Sequence, residues 1–274
     1  MFISAATETL FTTAGVVLLA IAATGRIATA RSARIPHRII VLLGLSAVTY
    51  LAAIIVRWLR EGQGPFLTLY DVILSNLFSL CLILLVVVLL SSVIRAGTIV
   101  ALPVLAILGL WLKLVPPEAT PLPPTFDNYW LWLHVISGKL FLGFSLIAAS
   151  SAATLLLSRR LALDSLPGHS AQSEQLDRSV WSVLALAFIC HSFMLIAGAV
   201  WAHSAWGRYW AWDSLETWTL VTWLILGASL HARVTFPRMP LATGWWLSVG
   251  IFVLAFLTFF GIPFISMAPH KGVM

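Results

Sequence analysis

Eight long apolar runs dominate the sequence and constrain what the chain can fold into. Each has about 20 residues, the length that an α-helix needs to cross the hydrocarbon core of a bilayer. They lie at about 8–26, 39–58, 70–92, 96–114, 130–157, 179–200, 215–235 and 242–266. Only 9% of the 274 residues are charged, against roughly 25% in a typical soluble domain. We therefore predict an all-α integral membrane protein with a bundle of about eight transmembrane helices.

The positions of the Lys and Arg residues predict the orientation of this bundle. Of the 16 basic residues, the loops on one side carry ten and those on the other side carry six. The positive-inside rule makes the richer side cytoplasmic, so both termini and the loop before the seventh helix lie outside. We interpret the net charge of +6 as this topology signal and not as a nucleic-acid-binding surface. The first apolar run follows no basic segment or cleavage site, and we expect it to stay as a helix.

The polar breaks between the runs are short, and none has the length of a soluble domain. We therefore predict one transmembrane domain over residues 1–274, with a Trp-rich outer loop at 201–218. Cys81 and Cys190 both lie in apolar runs and form no CxxC pair, which argues against a thiol redox motif and a Cys-based zinc site.

The Trp-rich loop is the most distinctive polar segment. Six tryptophans occur within residues 201–223, and the stretch from Trp206 to Trp218 reads WGRYWAWDSLETW. An aromatic belt at the membrane surface is one explanation. A belt does not require glycine, arginine and two acidic residues between the rings in a fixed order. The pattern favours a site for a large planar ligand with carboxylates, such as a porphyrin, because indoles stack on the ring and arginine pairs with propionates.

This segment resembles the WWD signature of the heme-handling protein superfamily that includes CcsA, CcmC and CcmF. The residue order over 201–218 is similar to that of the CcsA (ResC) branch, except that Ser214-Leu215 replaces the usual Pro-Lys. Residues 62–71 resemble the GxxP…LYE segment of that branch, with Asp71 in place of Glu. Residues 133–135 resemble its Leu/Met-His-Val segment, and the number of helices also fits CcsA.

The resemblance implies a CcsA-type subunit of the system II cytochrome c synthase. Such a subunit carries heme b across the membrane and presents it at an outer site for covalent attachment to CxxCH of apocytochrome c. The implied partners are a ResB/CcsB-type membrane subunit and apocytochrome c, in the bacterial cytoplasmic membrane with the heme site on its outer face. As an enzyme, the complex is a heme lyase. The sequence of this chain shows no nucleophile–base pair.

The resemblance also assigns three histidines as heme ligands. His134 and His270 are the implied ligands on the two faces of the outer heme, and His231 is the implied ligand of an inner heme. Sixteen helical residues separate Leu215 from His231, a rise of about 24 Å, so His231 cannot share an iron with His134. His191 lies near the middle of the sixth helix, where we favour a hydrogen-bonded packing role over heme binding.

Several further residues are candidates for contact with the cofactor. Arg208 is the first choice for a propionate, and Lys139 is another candidate. Acidic residues at the start of the seventh helix also suit a capping role. Arg57 and Arg60 either pair with propionates or partner carboxylates, or extend to the membrane surface. The cofactor-binding residues predicted in the Trp-rich loop are Trp206, Arg208, Tyr209, Trp210, Trp212, Asp213 and Trp218.

Two other functions are compatible with the sequence. A heme-binding membrane regulator or scaffold of the HemX kind would bind heme without synthase activity, and a neighbouring ResB-like gene would argue against it. A transporter of an unrelated solute, with Lys139 and His191 in its path, would be expected to show internal repeats and broken helices. Neither feature is visible in the sequence.

Overall fold

Eight α-helices account for most of the computed structural model, which describes residues 4–30, 35–64, 67–161, 171–236 and 238–261. They are α1 (Ala5–Ala28), α2 (His37–Glu61), α3 (Leu69–Leu90), α4 (Thr98–Leu114), α5 (Tyr129–Leu161), α6 (Ala171–Trp206), α7 (Ser214–Thr235) and α8 (Leu241–Phe260). No strand occurs in this part of the chain. The prediction of an all-α bundle of about eight helices is confirmed.

Seven of these helices, within the described residues, are long and apolar enough to cross a membrane. The exception is α7, which has 22 residues but whose apolar run is interrupted by threonines and tryptophans. The number, length and hydropathy of these helices fit a multi-pass membrane protein.

Local capping signals set several helix ends. Thr68 and Asp71 form a reciprocal capping box at the start of α3. Gly62 follows α2 with φ 70°, and Gly207 follows α6 with φ 72°. Both values lie in the left-handed region that glycine adopts without a steric penalty, so both helices stop at these positions.

The chain forms two compact units. Unit 1 contains α1 to α4, in which α1 packs against α2 and α4, and α3 packs against the same two helices. Unit 2 contains most of α5 together with α6, α7 and α8. Within unit 2, α7 packs against both α6 and α8.

A buried ion cluster lies within unit 1. Arg57 is 2% exposed, and its Nε donates to Asp71 Oδ1 at 2.5 Å while another guanidinium nitrogen donates to Glu118 O at 2.6 Å. Glu8 pairs with Arg57 at 3.5 Å and with Arg60 at 2.9 Å. The roles predicted for Arg57, toward propionates, partner carboxylates or the membrane surface, are therefore wrong, whereas those predicted for Arg60, which is 22% exposed, stay predictions. The charge of Arg57 is instead balanced within the chain, as burial requires.

Two glycines allow close packing between α5 and α6 in unit 2. A Cβ on Gly198 would lie 2.6 Å from His134 Nδ1, and a Cβ on Gly138 would lie 2.9 Å from Met194 Sδ. Real Cβ atoms do not approach other atoms so closely. The glycine of one helix therefore makes room for the large side chain of the other, and this places His134 directly against α6.

A second buried polar cluster ties together three helices of unit 2. Asp177 of α6 is 4% exposed and accepts hydrogen bonds from Arg233 of α7 and from Trp245 Nε1 of α8, each at 2.7 Å. The guanidinium of Arg233 also lies 5.3 Å from the ring centre of Trp181. This cluster fixes the end of α7 that is farthest from Ser214.

Candidate functional site

A cavity in unit 2 brings together side chains from four helices and from the Trp-rich loop. Its lining includes His134 of α5, Trp201 of α6, Trp210 of the loop, Glu216 of α7 and Phe259 of α8. Apolar and aromatic side chains make up most of the wall. A concave apolar site with a few polar groups is the usual form of a small-molecule or cofactor site.

His134 is oriented by a hydrogen bond to the backbone of α6. Its Nδ1 lies 2.8 Å from Met194 O. Because a carbonyl oxygen only accepts, Nδ1 carries the hydrogen, and Nε2 of the neutral ring carries the lone pair. Metal-ligating histidines commonly hold their second nitrogen in this way, which fixes both tautomer and ring orientation. His134 therefore has the orientation that metal-ligating histidines commonly show.

Trp201 forms an aromatic wall next to this histidine. The two ring centres are 6.3 Å apart, with an interplanar angle of 29°. Trp201 Nε1 donates to Thr125 O at 2.9 Å. The ring centres of Phe126 and Trp206 lie 5.5 and 4.9 Å from that of Trp201, both in edge-to-face arrangements. Trp206 thus contacts Trp201 and is not among the residues that line the cavity.

Two hydrogen bonds hold the loop between α6 and α7 in its conformation. Asp213 Oδ1 accepts from Glu216 N at 2.8 Å and so caps α7, which confirms the capping role predicted for Asp213. Glu216 Oε2 accepts from Ala211 N at 2.6 Å. Between them, Trp212 has φ 59°, a left-handed conformation that costs a non-glycine residue about 1–2 kcal/mol. The two carboxylates stabilise this strained turn from both sides.

Trp210 offers a donor that no described residue uses. Its Nε1 is buried and has no hydrogen-bond acceptor among the described residues, although the ring lines the cavity. A buried N–H without an acceptor costs about 1–3 kcal/mol, which a ligand oxygen would recover. An imidazole lone pair, indole walls and this unused donor are together the groups that suit an iron porphyrin with carboxylates.

The other predicted loop residues lie around the cavity. Tyr209 lines it and stacks on His203 at 4.2 Å. Trp212 is 71% exposed and meets Trp210 edge-on at 5.9 Å. Arg208 and Trp218 are exposed and are not part of the lining.

The three histidines assigned by resemblance have different outcomes. His134 lines the cavity. His231 is exposed near the far end of α7, where its Nε2 lies 3.2 Å from Thr235 Oγ1, and the unbroken helix keeps it away from the cavity. The predicted separation of His231 from His134 is confirmed. His270 lies outside the described residues.

His191 packs as predicted but without the expected hydrogen bonds. It is fully buried in α6, and its ring stacks on Phe141 at 4.0 Å. Neither ring nitrogen has a partner among the described residues, so the expectation of a hydrogen-bonded histidine is wrong for this part of the chain. His191 and Lys139 are not among the residues that line the cavity.

Sequence reasoning missed most of the residues that α6 and α8 contribute to the cavity wall. Met194 and Gly198 lie inside a long apolar run, and Thr258 and Phe259 lie in another. One weak signal was present in the sequence. Gly198 stands one helical turn after Met194, and small residues at such spacing are common where two helices pack closely. Glu216 was interpreted only as a residue of a helix start, whereas the structure also places it in the cavity wall.

Comparison with known proteins gives consistent results. The family model described as "Cytochrome C assembly protein" matches residues 41–270. A cytochrome c biogenesis protein CcsA from Guillardia theta is 28% identical over 83% of this chain and 82% of its own length. The protein of that name from Prochlorococcus marinus is 30% identical, with 70% of each chain covered.

A solved structure shares the fold. It is the cytochrome c heme lyase CcmF, with a TM-score of 0.68 over 92% of this chain at 16% identity. This chain spans 46% of the length of that one. At this identity the similarity concerns the arrangement of the helices alone.

Proposed function

The chain belongs to the cytochrome c assembly protein family, and we propose that it is the CcsA-type subunit of a system II cytochrome c synthase. In this role it carries heme b across the bacterial cytoplasmic membrane and presents it on the outer face. There the two thiols of CxxCH in apocytochrome c form thioether bonds with the heme vinyl groups. The whole chain acts as one heme-handling domain.

The observation that carries this proposal is the geometry of His134. Its Nδ1 is held by Met194 O, and its ring stands beside Trp201 in an apolar cavity. Both features are properties of a heme ligand that is oriented before heme arrives. The relatives' printed names, which concern cytochrome c biogenesis, support the same assignment.

The remaining ligand roles follow from the family resemblance. His270 is the second axial ligand of the outer heme, and the histidine of the incoming CxxCH displaces one of the two. His231 binds heme at the inner level together with a histidine of the ResB/CcsB-type partner. The distance along α7 supports two separate levels.

The Trp-rich loop supplies orientation in this proposal. Trp210 and Tyr209 contact the porphyrin, while Trp206 and Trp212 support the rings that do. Arg208, at the exposed turn after α6, is available to a propionate edge that extends from the cavity. Asp213 acts through the loop conformation. Binding and orientation are the protein's contribution, and the vinyl groups supply the electrophile.

The test is covalent heme attachment in a reconstituted system. The chain is co-expressed with a ResB-like protein and a CxxCH reporter, and a reporter with both cysteines replaced by alanine serves as the control. We expect heme that resists denaturing electrophoresis on the CxxCH reporter alone, and only when the chain is present. Heme bound to the complex with an unmodified reporter would contradict the synthase function and support a heme-binding regulator.

A further inference from the structure

Glu216 carries an acceptor oxygen that the structure does not otherwise use. Among the described residues that line the cavity, it alone has a carboxylate. Its Oε2 accepts from Ala211 N at 2.6 Å. Its Oε1 makes no hydrogen bond or ion pair with any described residue. The cavity therefore contains one acceptor with no partner of its own.

The other hydrogen-bond donors of the described lining have partners, with the exception of Trp210 Nε1 and the hydroxyl of Tyr209, a side chain that is 57% exposed. The hydroxyls of Thr219 and Thr258 donate to carbonyls of their own helices. The N–H groups of Trp201 and His134 donate to backbone carbonyls as well. None of these donors forms a hydrogen bond with Glu216 Oε1, which leaves this oxygen open to a donor on a ligand.

Heme does not supply that proton. Its propionates are anions, and its pyrrole nitrogens bind iron and carry no hydrogen. Propionates suit the donor Trp210 Nε1 and are repelled by a carboxylate. The second substrate does carry such donors, because its reacting groups are two thiols.

The hydrogen bond from Ala211 N does not explain why residue 216 carries a charged side chain. The amide oxygen of a glutamine would accept from Ala211 N equally well, without a charge beside indole rings. The helix dipole favours an acidic residue in the first turn, but Asp213 already stands at the N-cap of α7. A proton acceptor, in contrast, requires the carboxylate itself.

We propose that Glu216 is a catalytic residue that accepts the thiol proton during thioether formation. The inference rests on the proposed function. The cysteine S–H bond breaks and its proton passes to Glu216 Oε1, while sulfur bonds to the inner carbon of the vinyl group. Glu216 then gives this proton to the terminal carbon as the C=C double bond becomes single, so its carboxylate is regenerated. The thiol adds across the double bond, so protons balance and no oxidant or reductant is needed.

The test separates proton transfer from loop geometry by replacing Glu216 with glutamine. Glu216→Gln keeps an acceptor for Ala211 N but does not accept a proton. We expect the heme-loaded complex to retain the wild-type heme content, absorption spectrum and affinity for the CxxCH reporter. The single-turnover rate constant of covalent attachment falls about 100-fold, in the range of general acid–base catalysis. Glu174→Gln, at a side chain that is 72% exposed on α6, is the matched control and keeps the wild-type rate.

Three outcomes would contradict the inference. If Glu216→Gln attaches heme within twofold of the wild-type rate, the carboxylate is not a proton acceptor. If heme content falls together with the rate, Glu216 is a residue that positions the loop or the heme. Both results leave the proposed function intact. A wild-type complex that holds heme and attaches none overturns the proposed function and this inference with it.

Discussion

Gly198 determines where the ring of His134 lies. A Cβ at this position would stand 2.6 Å from His134 Nδ1, and the ring would have to move away from α6. In Gly198→Ala we therefore expect the bond to Met194 O to break and the heme content of the purified protein to fall at least threefold. Heme content is measured from the absorption spectrum after extraction.

The control for this variant is Gly250→Ala. No atom lies within 4 Å of a Cβ built on Gly250, and alanine favours the helix by about 1 kcal/mol, so heme content stays at the wild-type level. A Gly198→Ala protein with wild-type heme content and spectrum would show that the contact between α5 and α6 does not orient His134.

Individual residues of the site were predictable only where their chemistry is visible in the sequence. His134 and Trp210 were expected, and both line the cavity. Gly198 was not, because its role is to leave space for a side chain 64 positions away. The order of the Trp-rich segment also did not show which rings face inward. That choice depends on the left-handed conformations of Gly207 and Trp212.

The start of α7 links the loop to the cavity at the level of the helix. Asp213 caps this helix, and Glu216 in its first turn holds Ala211 N. We expect Asp213→Ala to cost about 1 kcal/mol, the usual effect of removing an N-cap, and to lower the thermal stability of the heme-loaded protein. The measurement is the loss of the heme absorption band during thermal unfolding.

Asparagine at the same position is the control, since its side-chain oxygen caps a helix about as well as that of aspartate. Asp213→Asn should therefore unfold near the wild-type temperature. Equal destabilisation by alanine and by asparagine would indicate that the charge of Asp213 matters more than its cap.

The positions of the helices were predictable from the lengths of the apolar runs. The limits of α2, α4 and α7 lie within a few residues of the prediction. The largest difference is in α6, which begins at Ala171, before its apolar run, because a helix continues through polar residues until a stop signal occurs. The ends at Gly62 and Gly207 coincide with such signals.

At the scale of the molecule, each unit contains its own buried polar cluster. Arg57 and Asp71 belong to unit 1, and Asp177 and Arg233 belong to unit 2. Removing one partner of a buried pair typically costs about 3–5 kcal/mol, because the other charge is left without compensation. Sequence reasoning treated these arginines as topology signals or ligand contacts. Their partners lie on other helices, and the periodicity of one helix does not reveal them.

The most direct test of the heme site is the absorption spectrum of the complex purified with its ResB-like partner. We predict the bands of low-spin, bis-histidine heme in the wild type and in His37→Ala, since His37 is exposed at the start of α2. In His134→Ala we predict that these bands shift and that heme content falls. A His134→Ala complex with the spectrum and heme content of the wild type would contradict the assignment of His134 as an axial ligand.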